Sequence, residues 1–589
     1  MKPNNYNVMI TTQHPWFKEI KEAIEHEAHS FHSIKADGRV LKAFDDLDDK
    51  VIEKLNDTTL YPELEWDATV RNNNDLSEGE IKFIHDRKLF IREAFAKYVG
   101  VDISEIHVDD IPVIAIIGSE SGLYDCGVYL AGLSGSCWTL GQLYTSIAQS
   151  HENPIQALVE FHRTKLSHSI FNPHGLVEGF AETSDPQTAV ELVFGSLIRK
   201  KATGIKLSII DVYSTLLAAK ILIDKDPTKQ LQFGDFKLSE QRKYIDGGKN
   251  LMPLYVSTYH NRPWEDTLNA EEAALFPNYE EMYEIHKMKK DYYQWYEFNP
   301  YEIGCDETPA WIPSWAFGRK FELGKNVERF PEQSLGLLLG IMGAAPSASL
   351  QSEIRALEEV LPEGKFKDEL RNLYDEAMEI IGTQKQKVIE GYHPIPQPYN
   401  YNFSYHLNPT PPYKLGPANN EMTYFGDAGV SNDFPMYPVT HPNRKVDIVI
   451  GFDCSAAAIN TEVFEKKQEI FCKRRGYNKI TRDVTNEYCE VYDFIPTGKT
   501  SDEFLTPAQK QFVLCYIPFR KNDKVDPNFI PSKTLFSTLF NFSYTTDQVD
   551  LMNNLAKANW LESENQVKGI IIDTWKKKRH ARLNGINFP

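Results

Sequence analysis

The segment IPVIAIIGS, residues 111–119, constrains the fold more than any other part of the chain. It is a near-continuous β-branched run ending in Gly-Ser, and a strand with apolar side chains on both faces must be covered on both. Such strands belong inside parallel sheets. CGVYLAGLSGS (126–136) repeats the form shortly afterwards, and RKVDIVIGFDCSA (444–456) supplies a third copy far downstream. Elsewhere the apolar spacing is helical, with charges on the remaining face: from Phe31 to about Leu60, over Leu76–Gly100, in TAVELVFGSLIRKKA (188–202) and in AALFPNYEEMYEIHKMKKDYYQWYEF (273–298). Buried strands separated by helices indicate an α/β layered architecture. We expect an N-terminal helical region, 1–110, packed on a layered domain at 111–589 with cap or lid insertions over approximately 140–420. The stretch Gly391–Asn420 is rich in Pro, Tyr and Asn and reads as a surface loop or mobile lid.

Composition narrows the class. A chain of 589 residues has room for one to three domains, and 41% hydrophobic with 25% charged residues is the balance of a globular protein. No stretch approaches the roughly 20 apolar residues needed to cross a bilayer, and the N-terminus lacks a secretory pattern, so the expected location is the cytoplasm. Seven cysteines, an odd number without a C-x-x-C pair, read as reduced thiols. The formal charge of −19 argues against nucleic acid as a partner. Against that acidic background WKKKRHAR (575–582) reads as a solvated last helix turn, with an anionic membrane contact as the alternative.

The second strand runs into Gly-Leu-Ser-Gly-Ser, where Gly132, Gly135 and Ser136 surround Ser134. A serine on a sharp strand-to-helix turn needs small neighbours, and the N-terminus of a helix starting near Cys137 would favour an oxyanion. Far downstream, Asp427 sits between Gly426 and Ala428 with Gly429 just beyond, on a loop of small residues that leads towards the third strand. A carboxylate so placed can take a serine proton. Taken singly, each pattern also fits an ordinary turn.

Together, and in this order, the motifs resemble the catalytic domain of cytosolic phospholipase A2 and of the related fungal lysophospholipases (phospholipase B). YEFNPYEIG (296–304), AFGRKFELG (316–324), SLGLLLGIMGAA (334–345), the Asp-Ala-Gly loop, VDIVIGFDCSA and TLFSTLFNFSY look like that family's blocks in family order. The resemblance implies a patatin-like three-layer α/β/α fold, mainly parallel at its centre, with 111–589 as the catalytic domain. It further implies a Ser-Asp dyad without histidine: Ser134 as nucleophile, Asp427 as base, and Arg444 facing the substrate head group. No cofactor and no metal is implied. The implied partners are a phospholipid or lysophospholipid substrate and a peripheral membrane surface. No long segment precedes the helical region here, so a calcium-dependent lipid-binding domain like that of animal members is not expected.

One family element is absent. Between Gly118-Ser119 and Ser121-Gly122 the family carries a Gly-Gly-Gly loop, an aromatic-Arg-Ala segment and a helix; the glycine amides form its oxyanion hole. That leaves Gly118 and Gly135 as candidate oxyanion donors here, and losing one such donor typically costs about 3 to 4 kcal/mol of transition-state stabilisation. A link this short is also expected to be unable to join two parallel neighbouring strands. Two other readings therefore stand beside hydrolysis by a dyad: an inactive lipid- or protein-binding member, and a Ser-His-Asp esterase using His441 or His406.

Overall fold

The apolar runs come together in one sheet. The computed structural model describes residues 39–588 apart from 41, 44–46, 118–122, 168–178, 225–231, 261–292, 344–397, 408–419, 456–457, 459–460, 483–485, 499–509, 538–542 and 587. Its strands are β1 (Ile114–Ile117), β2 (Tyr129–Gly132), β3 (Met252–His260), β4 (Tyr293–Phe298), β5 (Glu302–Cys305), β6 (Ala310–Pro313), β7 (Phe321–Glu322), β8 (Lys325–Asn326), β9 (Tyr399–Tyr401), β10 (Met422–Gly426), β11 (Ile448–Asp453), β12 (Tyr477–Thr481), β13 (Glu490–Pro496) and β14 (Phe512–Pro518). The main sheet runs β12-β13-β14-β11-β1-β2-β3-β4-β5-β6, with β10 paired to β3 and β9 to β10; β7 and β8 form a separate hairpin. Its centre, β14-β11-β1-β2-β3, is parallel, and the flanks are antiparallel. All four residues of β1 are buried, as a strand apolar on both faces requires.

Helices pack around this sheet. Those that bear on the site or its support are α1 (Leu47–Lys54), α2 (Glu78–Phe90), α3 (Arg92–Val99), α4 (Gly135–Leu143), α5 (Pro186–Val193), α6 (Gly195–Ala202), α7 (Ile209–Ile221), α8 (Leu335–Met342), α9 (Met436–Val439), α10 (Thr461–Arg475) and α11 (Thr546–Leu583). Every residue of α8 is buried, matching its lack of a polar face. It crosses α7 so closely that a Cβ on Gly340 would fall 1.9 Å from Ser214 Oγ. The N-terminal helices share the same core through Phe83, Phe95 and Ala96.

The 38-residue α11 starts with a capping box between Thr545 and Gln548 and buries Val549, Leu555, Trp560, Val567, Ile571 and Trp575. Its basic end differs from a solvated turn. Lys578 pairs with Asp447 at 2.9 Å, Arg582 with Asp110 at 2.7 Å and Arg579 with Glu105 at 3.0 Å, while Trp575 is buried. Lys576, Lys577 and His580 remain exposed.

Three further expectations are corrected. First, β1 and β2 are parallel neighbours, with Ala115 opposite Tyr129, despite the short link. Strand β2 begins only at Tyr129, so residues 118–128 are available for the crossover, close to the dozen such a connection needs. Buried Arg87 of α2 fixes its end, donating to the carbonyls of Tyr124, Gly127, Gly248 and Lys249. Second, part of the Gly391–Asn420 stretch is folded: Asn400 and Asn402 are buried, β9 pairs with β10, and Phe403 packs edge-on against Tyr296. Buried asparagine is tolerated here because its amide finds carbonyls, as Asn402 Nδ2 does at Asn420 O (2.7 Å). Third, the run read as helical through Phe298 ends as strand β4, whose aromatic residues favour a pleated surface; Asn299 then accepts from the amides of Tyr301 and Glu302 to turn the chain into β5. The rest of that run, 273–292, lies outside the described residues, as does Phe31 with its neighbours.

Candidate active site

Strand β2 ends at Gly132, Leu133 follows, and Ser134 turns the chain into α4, which begins at Gly135 rather than near Cys137. Ser134 sits at φ 54° and ψ −126°, a region costing non-glycine residues roughly 1 to 3 kcal/mol. Of the flanking small residues, Gly132 is sterically required: a Cβ there would lie 2.7 Å from Leu140 Cδ1 and 2.9 Å from the Ser136 carbonyl carbon. Gly135 faces open space, with nothing nearer to its Cβ position than Trp138 Cε3 at 3.9 Å. Its amide is the first of α4 and belongs to those the helix leaves without an internal acceptor.

A serine at a helix N-cap ordinarily caps its own helix. Ser134 does not; its hydroxyl donates instead to Asp427 Oδ2 at 2.6 Å, across 293 residues of sequence. Asp427 follows β10, and its other oxygen accepts from Gly429 N at 2.9 Å. The loop is tied to β3, where Ser257 Oγ donates to Gly426 O (2.7 Å) and Thr258 Oγ1 to Asp427 O (3.4 Å). Trp295 Nε1 reaches Ser431 Oγ at 3.3 Å and stacks on Tyr437 of α9. Asp427 is buried, and burial pushes its carboxyl up to about 6; Asp433 adds to the rise, while the Ser134 and Gly429 hydrogen bonds oppose it.

The other expected site residues fall elsewhere. Gly118 lies outside the described residues. Arg444, expected to face the head group, is fully buried: its guanidinium donates to Glu80 at 2.7 and 3.1 Å, to Glu297 at 2.5 Å through both Nη atoms, and to Pro438 O at 2.6 Å. The physical reason is its partners, two buried carboxylates that need a cation more than a solvent-facing phosphate does. Tyr129 of β2 lies under the guanidinium and donates to Glu80. His441 is buried beside Trp311, and burial pushes its imidazole down to about 4. His406 is exposed and bonded to Glu322 at 2.6 Å. Neither hydrogen-bonds Ser134 or Asp427, and the direct contact of those two leaves no imidazole between them. Sequence reasoning missed Glu80 and Glu297. Glu80 read as one more charge on an amphipathic helix, and Glu297 carried no local signal. No group of His, Cys, Asp or Glu suited to a metal ion occurs among the described residues.

Fold and site together define a class: an α/β protein with a strained serine at a strand-to-helix turn, hydrogen-bonded directly to a buried aspartate. The chain belongs to the lysophospholipase catalytic domain family, whose model matches residues 114–504. It is similar to human cytosolic phospholipase A2 epsilon, 24% identical over 299 residues covering 48% of this chain and 29% of the relative. Mouse cytosolic phospholipase A2 zeta is 25% identical over 307 residues, 48% of this chain and 30% of the relative. The match thus spans less than a third of either relative. Among solved structures, human GIVD cytosolic phospholipase A2 superposes with a TM-score of 0.59 at 20% identity, covering 86% of this chain and 66% of that one. The same protein in complex with methyl gamma-linolenyl fluorophosphonate gives 0.55 at 19% identity, over 87% and 66%. The fold is the patatin-like one that the sequence resemblance implied.

Proposed function

We propose that this chain hydrolyses fatty-acyl esters of glycerophospholipids, as a lysophospholipase or phospholipase A2, through Ser134 and Asp427. The observation that carries the reading is the 2.6 Å hydrogen bond between a strained serine and a carboxylate whose basicity burial has raised. Asp427 takes the hydroxyl proton as Ser134 attacks the ester carbonyl, then returns it to the leaving lysophospholipid or glycerol oxygen. Water, deprotonated by the same carboxylate, releases the fatty acid from the acyl-serine. The Gly135 amide, supported by the α4 dipole, donates to the tetrahedral oxyanion. Substrate is met at a membrane surface by a cytoplasmic protein that associates with it peripherally. With Arg444 held by two glutamates, phosphate recognition falls to other groups.

One observation favours a second reading, lipid binding without turnover: the β1–β2 link of residues 118–128 is too short for the family's full oxyanion loop and helix. Acyl release from lysophosphatidylcholine separates the two. Hydrolysis by the wild type, abolished in Ser134→Ala, together with covalent capture of Ser134 by a long-chain fluorophosphonate, supports the enzyme. Folded wild-type protein that releases no more fatty acid than Ser134→Ala supports the binder.

A further inference from the structure

We propose that Ser257 of β3 is a positioning residue for the reaction: its hydroxyl, seconded by that of Thr258, holds the backbone on either side of Asp427 so that the carboxylate meets Ser134. The proposal rests on the reading of Ser134 and Asp427 as the reacting pair.

The need for such a residue follows from how neighbouring strands share β3. One edge of β3 is covered by β4, from Tyr255 to His260. The other edge is divided: β2 takes Met252 to Tyr255, and β10 takes Thr258 and Tyr259. Val256 and Ser257 fall between the two, without a strand partner on that side among the described residues. Ser134 follows the end of β2 and Asp427 the end of β10, so both reach this gap, and β3 is the strand paired with both β2 and β10. Asp427 is the first residue past the β10 ladder, because the chain enters the short 3₁₀ turn Ala428–Val430 at once. The ladder therefore stops short of the residue whose placement matters most.

Two consecutive peptide units flank the Asp427 Cα, and their planes together set the direction of its Cβ. Ser257 Oγ donates to Gly426 O at 2.7 Å, on the first unit; Thr258 Oγ1 donates to Asp427 O at 3.4 Å, on the second. The first bond is the more needed, since glycine leaves its own dihedral angles loosely restrained. Ser257 is completely buried and Thr258 nearly so. A fully buried serine adds little apolar surface, and its hydroxyl has to find an acceptor; the one it finds is the carbonyl next to the base. Neither hydroxyl bonds the Asp427 carboxylate, which is taken by Ser134 Oγ and Gly429 N, so Ser257 acts on the chemistry through Asp427. Misplacing a reacting group by about 1 Å can cost on the order of a hundredfold in rate.

Steady-state hydrolysis of lysophosphatidylcholine by the full chain tests the role, with Ser134→Ala as background. Ser257→Ala should lower kcat about tenfold or more and leave KM within about twofold, the pattern of misaligned reacting groups. Ser257→Cys, close in size with a weaker donor, should fall between Ser257→Ala and wild type, and Ser257→Thr, which keeps the hydroxyl, should retain most of kcat. Thr258→Val should lose less than Ser257→Ala, in keeping with its longer bond. A merely structural serine would instead lower the melting temperature and leave kcat alone. That result overturns the proposal, as does an equal loss in the alanine, cysteine and threonine variants, or a loss confined to KM. If Ser257→Ala does not fold, the contrast of Ser257→Cys with Ser257→Thr, together with Thr258→Val, provides the same comparison. Wild type no faster than Ser134→Ala removes the hydrolase reading and this role with it, whereas active wild type beside a fully active Ser257→Ala removes this role alone.

Discussion

The Ser134 hydroxyl donates to Asp427 Oδ2 at 2.6 Å, although the two residues lie at the ends of different strands and 293 positions apart. On the proposed mechanism the pair acts as a unit. Ser134→Ala and Asp427→Asn should each remove lysophosphatidylcholine hydrolysis to near background, and the double variant should lose little more than either single one. Steady-state kcat/KM for the three variants checks this; losses that multiply would show that the two side chains act independently.

The raised carboxyl of Asp427 sets a pH dependence. A base titrating near 6 is protonated and useless below that pH, so kcat/KM should rise through an apparent pKa near 6 and level off above it. The stability effect has the opposite sense. Because the folded state binds this proton more tightly than the unfolded chain, with its ordinary carboxyl, Asp427 lowers stability as pH rises from about 4 through 6. Asp427→Asn should therefore melt above wild type at pH 7 to 8, with the advantage shrinking towards pH 4. Thermal unfolding across that range checks the sign.

Arg444 is predicted to matter for stability and not for substrate affinity. Removing it strands Glu80 and Glu297 in the interior, and breaking a buried ion pair from one side costs about 3 to 5 kcal/mol. Arg444→Met should lose that much in urea unfolding, while the KM of the fraction that stays folded is unchanged. Replacing both glutamates by glutamine in the Arg444→Met background should recover much of the loss. A selective rise in KM without destabilisation would return Arg444 to the head group.

How much of this was legible in the sequence follows from the range of the interactions involved. β1, β2 and β11 were readable because burial on both faces leaves an unbroken apolar run in Ile114–Ile117 and in Ile448–Ile450. Ser134 and Asp427 were readable because each lies among small residues at a strand end. What failed to show was pairing at a distance. Nothing near Arg444 announces Glu80, 364 positions earlier, and nothing in the Tyr-Asn-rich stretch announces that β10 will complete β9. Likewise the β1–β2 link looked too short because the sequence does not reveal that β2 starts as late as Tyr129, or that Arg87 from another element fixes the crossover.

The two glycines that flank the serine turn should respond in opposite ways, although the motif treats them alike. At Gly132 a methyl group meets Leu140 Cδ1 at 2.7 Å and backbone atoms of Ser136 and Cys137 at 2.9 and 3.0 Å. A flexible leucine tip can move, but the first turn of α4 cannot yield without shifting Ser134 from Asp427. Gly132→Ala should lower the melting temperature and reduce kcat more than it changes KM, because misalignment of reacting groups acts on the chemical step. At Gly135 the same methyl group enters open space, its φ lies outside the left-handed region, and alanine gains up to about 1 kcal/mol of helix propensity over glycine. Gly135→Ala keeps the amide that the oxyanion would use. It should fold at least as well as wild type and retain hydrolysis. Thermal unfolding and lysophosphatidylcholine turnover of the two variants provide the comparison, and a dead but well-folded Gly135→Ala would mean that substrate, rather than the protein, fills the space beside that residue.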